Sequence, residues 1–288
     1  MKDKIDAKKF VAKDGIEIFY WNTWERNMKN KYIILHPASA LNHSSLEEIE
    51  NGLNERGYPT INFDPRGSGY SSAPISHEYY RLERLTCDLE GVINKEGLEN
   101  PIFISHSFGF MPMVDYAAKT KNVAKIIGIG ASHNFSETAP YILFKKLAFH
   151  LFDKGIIYLD YISSLGTLFN HKVQGTKRPE CLNQNLKGAS EYDIWLSITD
   201  VPLKVAASHV VGQKEINTWD ISQQLSQFKE APLVLIYGTK DFMVRPIAGQ
   251  YIKELFKTDC KIEIVEGASH SLPIKYPEKV LNILDKHI

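Results

Sequence analysis

The stretch that most restricts the fold is Ile102-Phe103-Ile104-Ser105-His106-Ser107-Phe108-Gly109. Three large apolar residues in a row read as a short strand buried on both faces. The next five predict a sharp strand-to-helix turn with Ser107 at its apex. At such a turn the backbones of strand and helix come close, so small residues are needed two before and two after the apex. Gly109 supplies the second, and Ser105 stands at the first. Alone, the pentapeptide specifies little, because a serine after an apolar strand also serves as a turn residue or a helix N-cap.

The order of residues downstream gives Ser107 a chemical reading. A serine nucleophile on such an elbow needs an acid and then a histidine, each in a loop after its own strand. Leu233-Val234-Leu235-Ile236-Tyr237 is an apolar run followed by Gly238-Thr239-Lys240-Asp241. Lys261-Ile262-Glu263-Ile264-Val265 is another, followed by Glu266-Gly267-Ala268-Ser269-His270. Ser107, Asp241 and His270 thus fall in that order and in those contexts. In this the sequence resembles the α/β-hydrolase family, and most of the chain can be laid along that fold.

The chain in order supports the same layout. Residues 9–13 and 16–23 flank Asp14-Gly15, a hairpin signal, and the resemblance implies two antiparallel strands opening the sheet. Short apolar runs at 32–35, 60–63, 102–104 and 125–129 alternate with helical stretches at 45–56, 78–96 and up to about 119. Leu82, Leu85, Leu89 and Val92 show helical spacing within one of them. Strands alternating with helices imply right-handed crossovers and a mostly parallel sheet. The rhythm lapses from 133 to 230 and resumes with 233–237, 247–256, 261–265 and a helix from Pro277. The expectation is an α/β-hydrolase core over residues 1–132 and 231–288 with a mainly helical cap, 133–230, inserted between two strands. No internal repeat or low-complexity segment is present.

A serine hydroxyl is a weak nucleophile near neutral pH, so a base must take its proton as it attacks. His270 is the candidate base, and Asp241 the group that orients its ring and stabilises the imidazolium. Each residue also has a plain reading as a loop or turn side chain. In some relatives the acid follows the preceding strand, which here points near Glu137. His106 adjoins Ser107, but neighbouring side chains on a sharp elbow point apart, so it does not serve as the base; by comparison with relatives that carry His there, it reads as a packing or hydrogen-bonding residue. The resemblance implies an oxyanion hole from the backbone N–H of Phe108 and of a residue in the loop after the third strand. That loop starts His36-Pro37 where relatives have His-Gly. Proline has no N–H, and the donating position falls on Ala38.

Asp64-Pro65-Arg66-Gly67-Ser68-Gly69-Tyr70-Ser71 matches a loop common in the family. Its spacing is neither a P-loop nor a dinucleotide fingerprint, and its expected role is to hold a tight turn beside the active-site floor. The apolar stretch 141–169 in the expected cap either lines a pocket for a hydrophobic acyl or aryl group or packs the cap onto the core.

Composition narrows the partners. Lys+Arg and Asp+Glu both number 34, which argues against a polyanionic partner or nucleic acid. The three cysteines, Cys87, Cys181 and Cys260, have neither metal-ligand spacing nor a disulfide pattern. The first residues carry charge without an apolar run behind them, and no uncharged apolar run reaches the roughly 18 residues of a membrane span. A cytoplasmic protein is expected, acting on a small-molecule substrate without metal or cofactor, with a homodimer left open. The function implied is a serine hydrolase working through an acyl-enzyme, on a carboxylic ester or thioester with a hydrophobic group. Aspartate, not serine, stands at the apex in family members that open epoxides or remove halide. Aminopeptidase, lactonase and carbon–carbon bond hydrolase use the same triad, and Glu180, Glu191 and Asp193 could hold a peptidase substrate's free amine. A ligand receptor that keeps the triad is the alternative outside catalysis.

Overall fold

In the computed structural model, residues 7–26, 28–38, 41–74, 77–134 and 220–288 are described, residue 77 by its backbone alone. The strands are β1 (Lys8–Val11), β2 (Glu17–Asn22), β3 (Ile33–His36), β4 (Thr60–Phe63), β5 (Ile102–His106), β6 (Lys125–Ile129), β7 (Leu233–Gly238) and β8 (Cys260–Val265). They form one sheet of order β1-β2-β4-β3-β5-β6-β7-β8. β1 and β2 run antiparallel to their neighbours, and every pairing from β4 to β8 is parallel. The opening hairpin turns at Gly15, whose φ of 82° lies where an L side chain is strained.

Helices cover both faces, as parallel strands require. On one side, α2 (Leu82–Glu96), α3 (Phe110–Thr120), α4 (Ser222–Gln227) and α5 (Ile247–Phe256) pack against Ile34, Ile61, Phe103 and Leu235. On the other, α1 (Glu47–Glu55), α6 (Leu272–Lys275) and α7 (Pro277–His287) pack against Ile33, Leu35, Ile104 and Ile236. Adjacent residues of one strand thus serve opposite cores, which is why β3, β5 and β7 read as unbroken apolar runs rather than alternating ones.

Two expected helices begin later than their apolar spacing suggests. The stretch 78–96 is a 3-10 turn, His77–Tyr80, followed by α2, with Arg81 extended between them (φ −65°, ψ 149°). The buried Arg66 guanidinium takes the Tyr79 carbonyl at 2.9 Å, and the Tyr80 hydroxyl donates to the Pro74 carbonyl at 2.7 Å. These contacts hold the turn apart from the helix. Likewise 45–56 opens as a 3-10 turn, His43–Leu46, where Asn42 Oδ1 accepts from Ser44 N–H at 3.0 Å, and α1 starts after it.

The cap expected over 133–230 lies mostly outside the described residues. Its two ends meet: Asn134 and Asp220 pair as an antiparallel bridge, and Ile221 N–H donates to the His133 carbonyl at 2.9 Å. The chain therefore leaves the sheet after β6 and returns before β7 at one place. α4 follows the return, burying Leu225 in the core, while Gln224 donates to Asp115 on α3 at 3.1 Å.

Candidate active site

The elbow is built by the close approach that its small residues allow. β5 ends at His106 with extended backbone, and Ser107 sits at φ 52°, in the left-handed region. For a non-glycine residue that conformation costs roughly 1–2 kcal/mol, which the packed strand and helix on either side hold in place. A Cβ at Gly109 would lie 2.6 Å from His36 Nδ1 and 2.7 Å from the carbonyl oxygens of His36 and Pro37. Glycine is therefore needed where the elbow rests on the loop after β3. Ser105, in the other small position, is fully buried and points its hydroxyl at the Ile127 carbonyl of β6, 3.4 Å away.

Asp241 follows β7 and His270 follows β8, so both stand with Ser107 at the carboxyl ends of parallel strands. Asp241 is buried, and its Oδ1 accepts from the N–H groups of Met243 at 2.9 Å and Val244 at 2.8 Å. Oδ2 lies 2.8 Å from His270 Nδ1. With one oxygen held by backbone, the other is aimed at the ring and selects the tautomer that donates from Nδ1, leaving Nε2 as the acceptor. The histidine loop is placed by backbone contact: a Cβ at Gly238 would come within 2.1 Å of the Ala268 carbonyl oxygen. His106 Nε2 lies 2.9 Å from the His270 carbonyl oxygen, and the two rings are 5.1 Å apart. The residue beside the serine thus ties the elbow to the histidine loop. Its imidazole is occupied with backbone, as a hydrogen-bonding residue's would be.

Glu137, the alternative acid, lies outside the described residues. The segment after β6 that is described, Gly130-Ala131-Ser132-His133, carries no carboxylate. Gly130 instead lies against the Asp241–His270 pair, an arrangement that reading strand ends for acids and bases overlooks. The only trace in the sequence is a glycine directly after an apolar strand.

The last residue of β3 is a second group that sequence reasoning passed over. His36 is buried, and burial pushes its imidazole down to a pKa of about 4, so it is neutral at ordinary pH. Its Nδ1 lies 2.8 Å from the Pro37 carbonyl oxygen, to which the neutral ring donates. A trans peptide sets its N–H opposite its C=O, so this contact also sets the direction of the Ala38 N–H. Ala38 is half-buried, and its own carbonyl accepts from Leu41 N–H at 3.1 Å. Gly109 against His36 and Pro37 brings this loop onto the elbow that carries Phe108.

The Asp64–Ser71 loop is scaffold. Asp64 is fully buried: Oδ1 lies 2.8 Å from His43 N and 2.6 Å from His43 Nδ1, and Oδ2 accepts from Tyr70 N–H at 2.8 Å. Gly69 is required because a Cβ there would fall 2.0 Å from Asp64 Oδ2. Arg66 donates from Nε and Nη2 to Asp88, both at 2.6 Å, and from Nη1 to Asp14 at 2.8 Å. Burial opposes charge on both partners, lifting Asp88 to about 6, while the two carboxylates keep the guanidinium protonated. His43 also packs against Trp21, ring centroids 3.9 Å apart and planes tilted by 35°, and its contacts with Asp64 pin the segment after the β3 loop to the Asp64 turn. Among the described residues no cluster of His, Cys, Asp or Glu could hold a metal ion, and no helix is long and apolar enough to cross a membrane.

A family model described as alpha/beta hydrolase fold matches residues 31–275. Among curated relatives, epoxide hydrolase A of Mycobacterium tuberculosis is 35% identical over 77 residues, which is 27% of this chain and 24% of that protein. Epoxide hydrolase 3 of Xenopus tropicalis is 24% identical over 251 residues, 83% of this chain and 65% of that protein. The chain thus spans less than two thirds of the length of both relatives. Among solved structures, an esterase from Exiguobacterium antarcticum superposes with a TM-score of 0.72 at 19% identity, over 97% of this chain and 98% of that one. That likeness shows the fold.

Proposed function

The chain belongs to the α/β-hydrolase family, and on that premise we propose that it is a serine hydrolase working through an acyl-enzyme. The substrate is a carboxylic ester or thioester with a hydrophobic group. The observation that carries the reading is the 2.8 Å contact of His270 Nδ1 with Asp241 Oδ2, which leaves Nε2 as the acceptor at the same end of the sheet as a left-handed elbow serine.

In this reading Ser107 Oγ attacks the acyl carbon while its proton passes to His270 Nε2. The imidazolium forms against the Asp241 carboxylate, which stabilises it without taking the proton. The Phe108 and Ala38 N–H groups meet the oxygen of the tetrahedral intermediate, each such donor being worth about 3 kcal/mol in the transition state. Collapse breaks the bond to the leaving alcohol or thiol, which takes the proton from His270. Water, giving its proton to the same Nε2, then attacks the acyl-enzyme and releases the acid and Ser107. The similarity to epoxide hydrolases supports hydrolysis in general; the serine at the apex favours acyl transfer over epoxide opening. Residues 133–230 enter the reading as the cap, with 141–169 lining the hydrophobic subsite, and the protein is placed in the cytoplasm. A homodimer is compatible with it.

The test is mass spectrometry of the wild type and Ser107→Ala after exposure to a fluorophosphonate probe, beside hydrolysis of a nitrophenyl ester chain-length series. The expected result is one adduct, on Ser107, with esters cleaved. A folded protein that takes no label overturns the triad. Labelling without ester turnover moves the substrate to an amide, a lactone or a carbon–carbon bond, or the protein to a receptor role.

A further inference from the structure

The two edges of the sheet are finished differently. On β1, Lys95 Nζ donates to the Lys9 carbonyl at 2.6 Å, and Lys8 and Lys9 are paired to Glu96 and Glu17. Lysines used in this way keep an edge from pairing with another chain. β8 is the opposite edge, and its two charged side chains, Lys261 and Glu263, are of opposite sign.

The ladder to β7 determines which backbone groups of β8 face outward. Leu233 N–H donates to the Asp259 carbonyl at 2.8 Å, and Thr239 N–H to the Val265 carbonyl at 3.2 Å. The odd-numbered residues therefore turn their peptide groups in toward β7. Alternation along the strand turns the N–H and C=O of Cys260, Ile262 and Ile264 out. Ile264 is also 47% exposed, and Ile262 on the same face is half-buried.

We infer that β8 is the interface of a homodimer, in which two copies of the strand pair antiparallel about a two-fold axis centred on Ile262. With the axis there, all three outward-facing residues take part: Ile262 exchanges both hydrogen bonds with the partner's Ile262, and Cys260 with the partner's Ile264. Lys261 then stands opposite the partner's Glu263, and Glu263 opposite the partner's Lys261. These are the non-hydrogen-bonded positions, where facing side chains come closest and opposite charges stabilise the pairing. Shifting the axis to Lys261 or Glu263 sets like charges face to face, and shifting it to Ile264 leaves part of the strand unpaired. The strand is thus self-complementary in one register. His287 Nε2 contacts Glu263 Oε1 at 2.7 Å, which holds the carboxylate in place with Oε2 remaining for the partner's lysine. On the other face, Ile264 lies diagonal to the partner's Ile262 and is covered. The inference is independent of the reaction proposed above.

Analytical ultracentrifugation of the full chain tests it. The wild type sediments as a dimer. Lys261→Glu weakens the dimer roughly tenfold or more, since two attractive pairs become repulsive, and Lys261→Gln falls between. Glu263→Lys alone is weakened as well, and an equimolar mixture of the Lys261→Glu and Glu263→Lys chains dimerises again, because both facing pairs regain opposite charge. Glu263→Lys gives up the His287 contact, so its fold is checked by circular dichroism; if it unfolds, the order wild type, Lys261→Gln, Lys261→Glu carries the test. A monomeric wild type overturns the inference, as does a dimer indifferent to Lys261→Glu. Two folded weakened variants that do not recover on mixing overturn it too.

Discussion

A Cβ placed on Gly130 would lie 3.0 Å from His270 Cε1 and 3.1 Å from its Nδ1. Gly130 follows β6 with φ 59°, its N–H held by the Ile236 carbonyl at 2.8 Å. The strand between the elbow and Asp241 therefore ends in a residue whose missing side chain leaves room for the histidine ring to reach Asp241 at 2.8 Å.

Gly130→Ala is expected to fold, with a stability loss of about 1–2 kcal/mol for the left-handed alanine. Its kcat is expected to fall about 10-fold, since the ring must give by only a few tenths of an ångström, less than the ångström's misplacement that costs about 100-fold. Because the change displaces the base rather than a binding surface, KM should stay near the wild-type value. Ester kinetics beside a thermal melt would check this; an unchanged kcat in a folded variant would remove Gly130 from any positioning role.

Asp241→Asn probes the acid. The Asn carbonyl can still accept from Met243 and Val244 N–H, which turns its amide NH2 toward His270 Nδ1. The ring must then accept at Nδ1 and carry its proton on Nε2, the wrong tautomer for a base. The expected loss in kcat is on the order of 10⁴-fold with the fold intact. Activity near the wild-type level would hand the acid's role to a carboxylate outside the described residues, with Glu137 first in line.

His36 should leave a signature in stability against pH. Its folded pKa is about 4 against an ordinary 6.5, because burial disfavours the charged ring. Below 6.5 the unfolded chain takes up a proton that the folded chain refuses. Stability is therefore complete above about pH 6.5 and declines as the pH falls to about 4, by about 3 kcal/mol over that window. His36→Asn keeps a donor for the Pro37 carbonyl but does not titrate. Denaturant melts across the window should show a shallower acid slope for this variant, and equal slopes would assign the loss to other groups.

Much of the site was legible in the chain because each member sits just past a strand whose apolar run announces it. Ile102-Phe103-Ile104, Leu233–Gly238 and Cys260–Val265 are buried or half-buried strands, and in a parallel sheet their carboxyl ends lie on one side. Order along the sequence thereby becomes placement at one end of the sheet, and Ser107, Asp241 and His270 can be named as candidates without coordinates. The antiparallel opening and the parallel remainder follow from the same patterning, with Asp14-Gly15 as the turn.

What only the tertiary structure decided are contacts between residues whose side chains carry no mark of their task. Gly130 matters for the space it leaves, His106 for a carbonyl 164 positions away, and His36 for the peptide it turns. The break at Arg81 is of the same kind: the apolar spacing continues through it, but Arg66, placed by Asp88 and Asp14 from elsewhere in the chain, claims the Tyr79 carbonyl. Local sequence specifies periodicity and turn chemistry, because those depend on neighbouring residues. Close approach and the partners of buried polar groups depend on which segments the sheet order sets side by side, and they are settled only when the chain has packed.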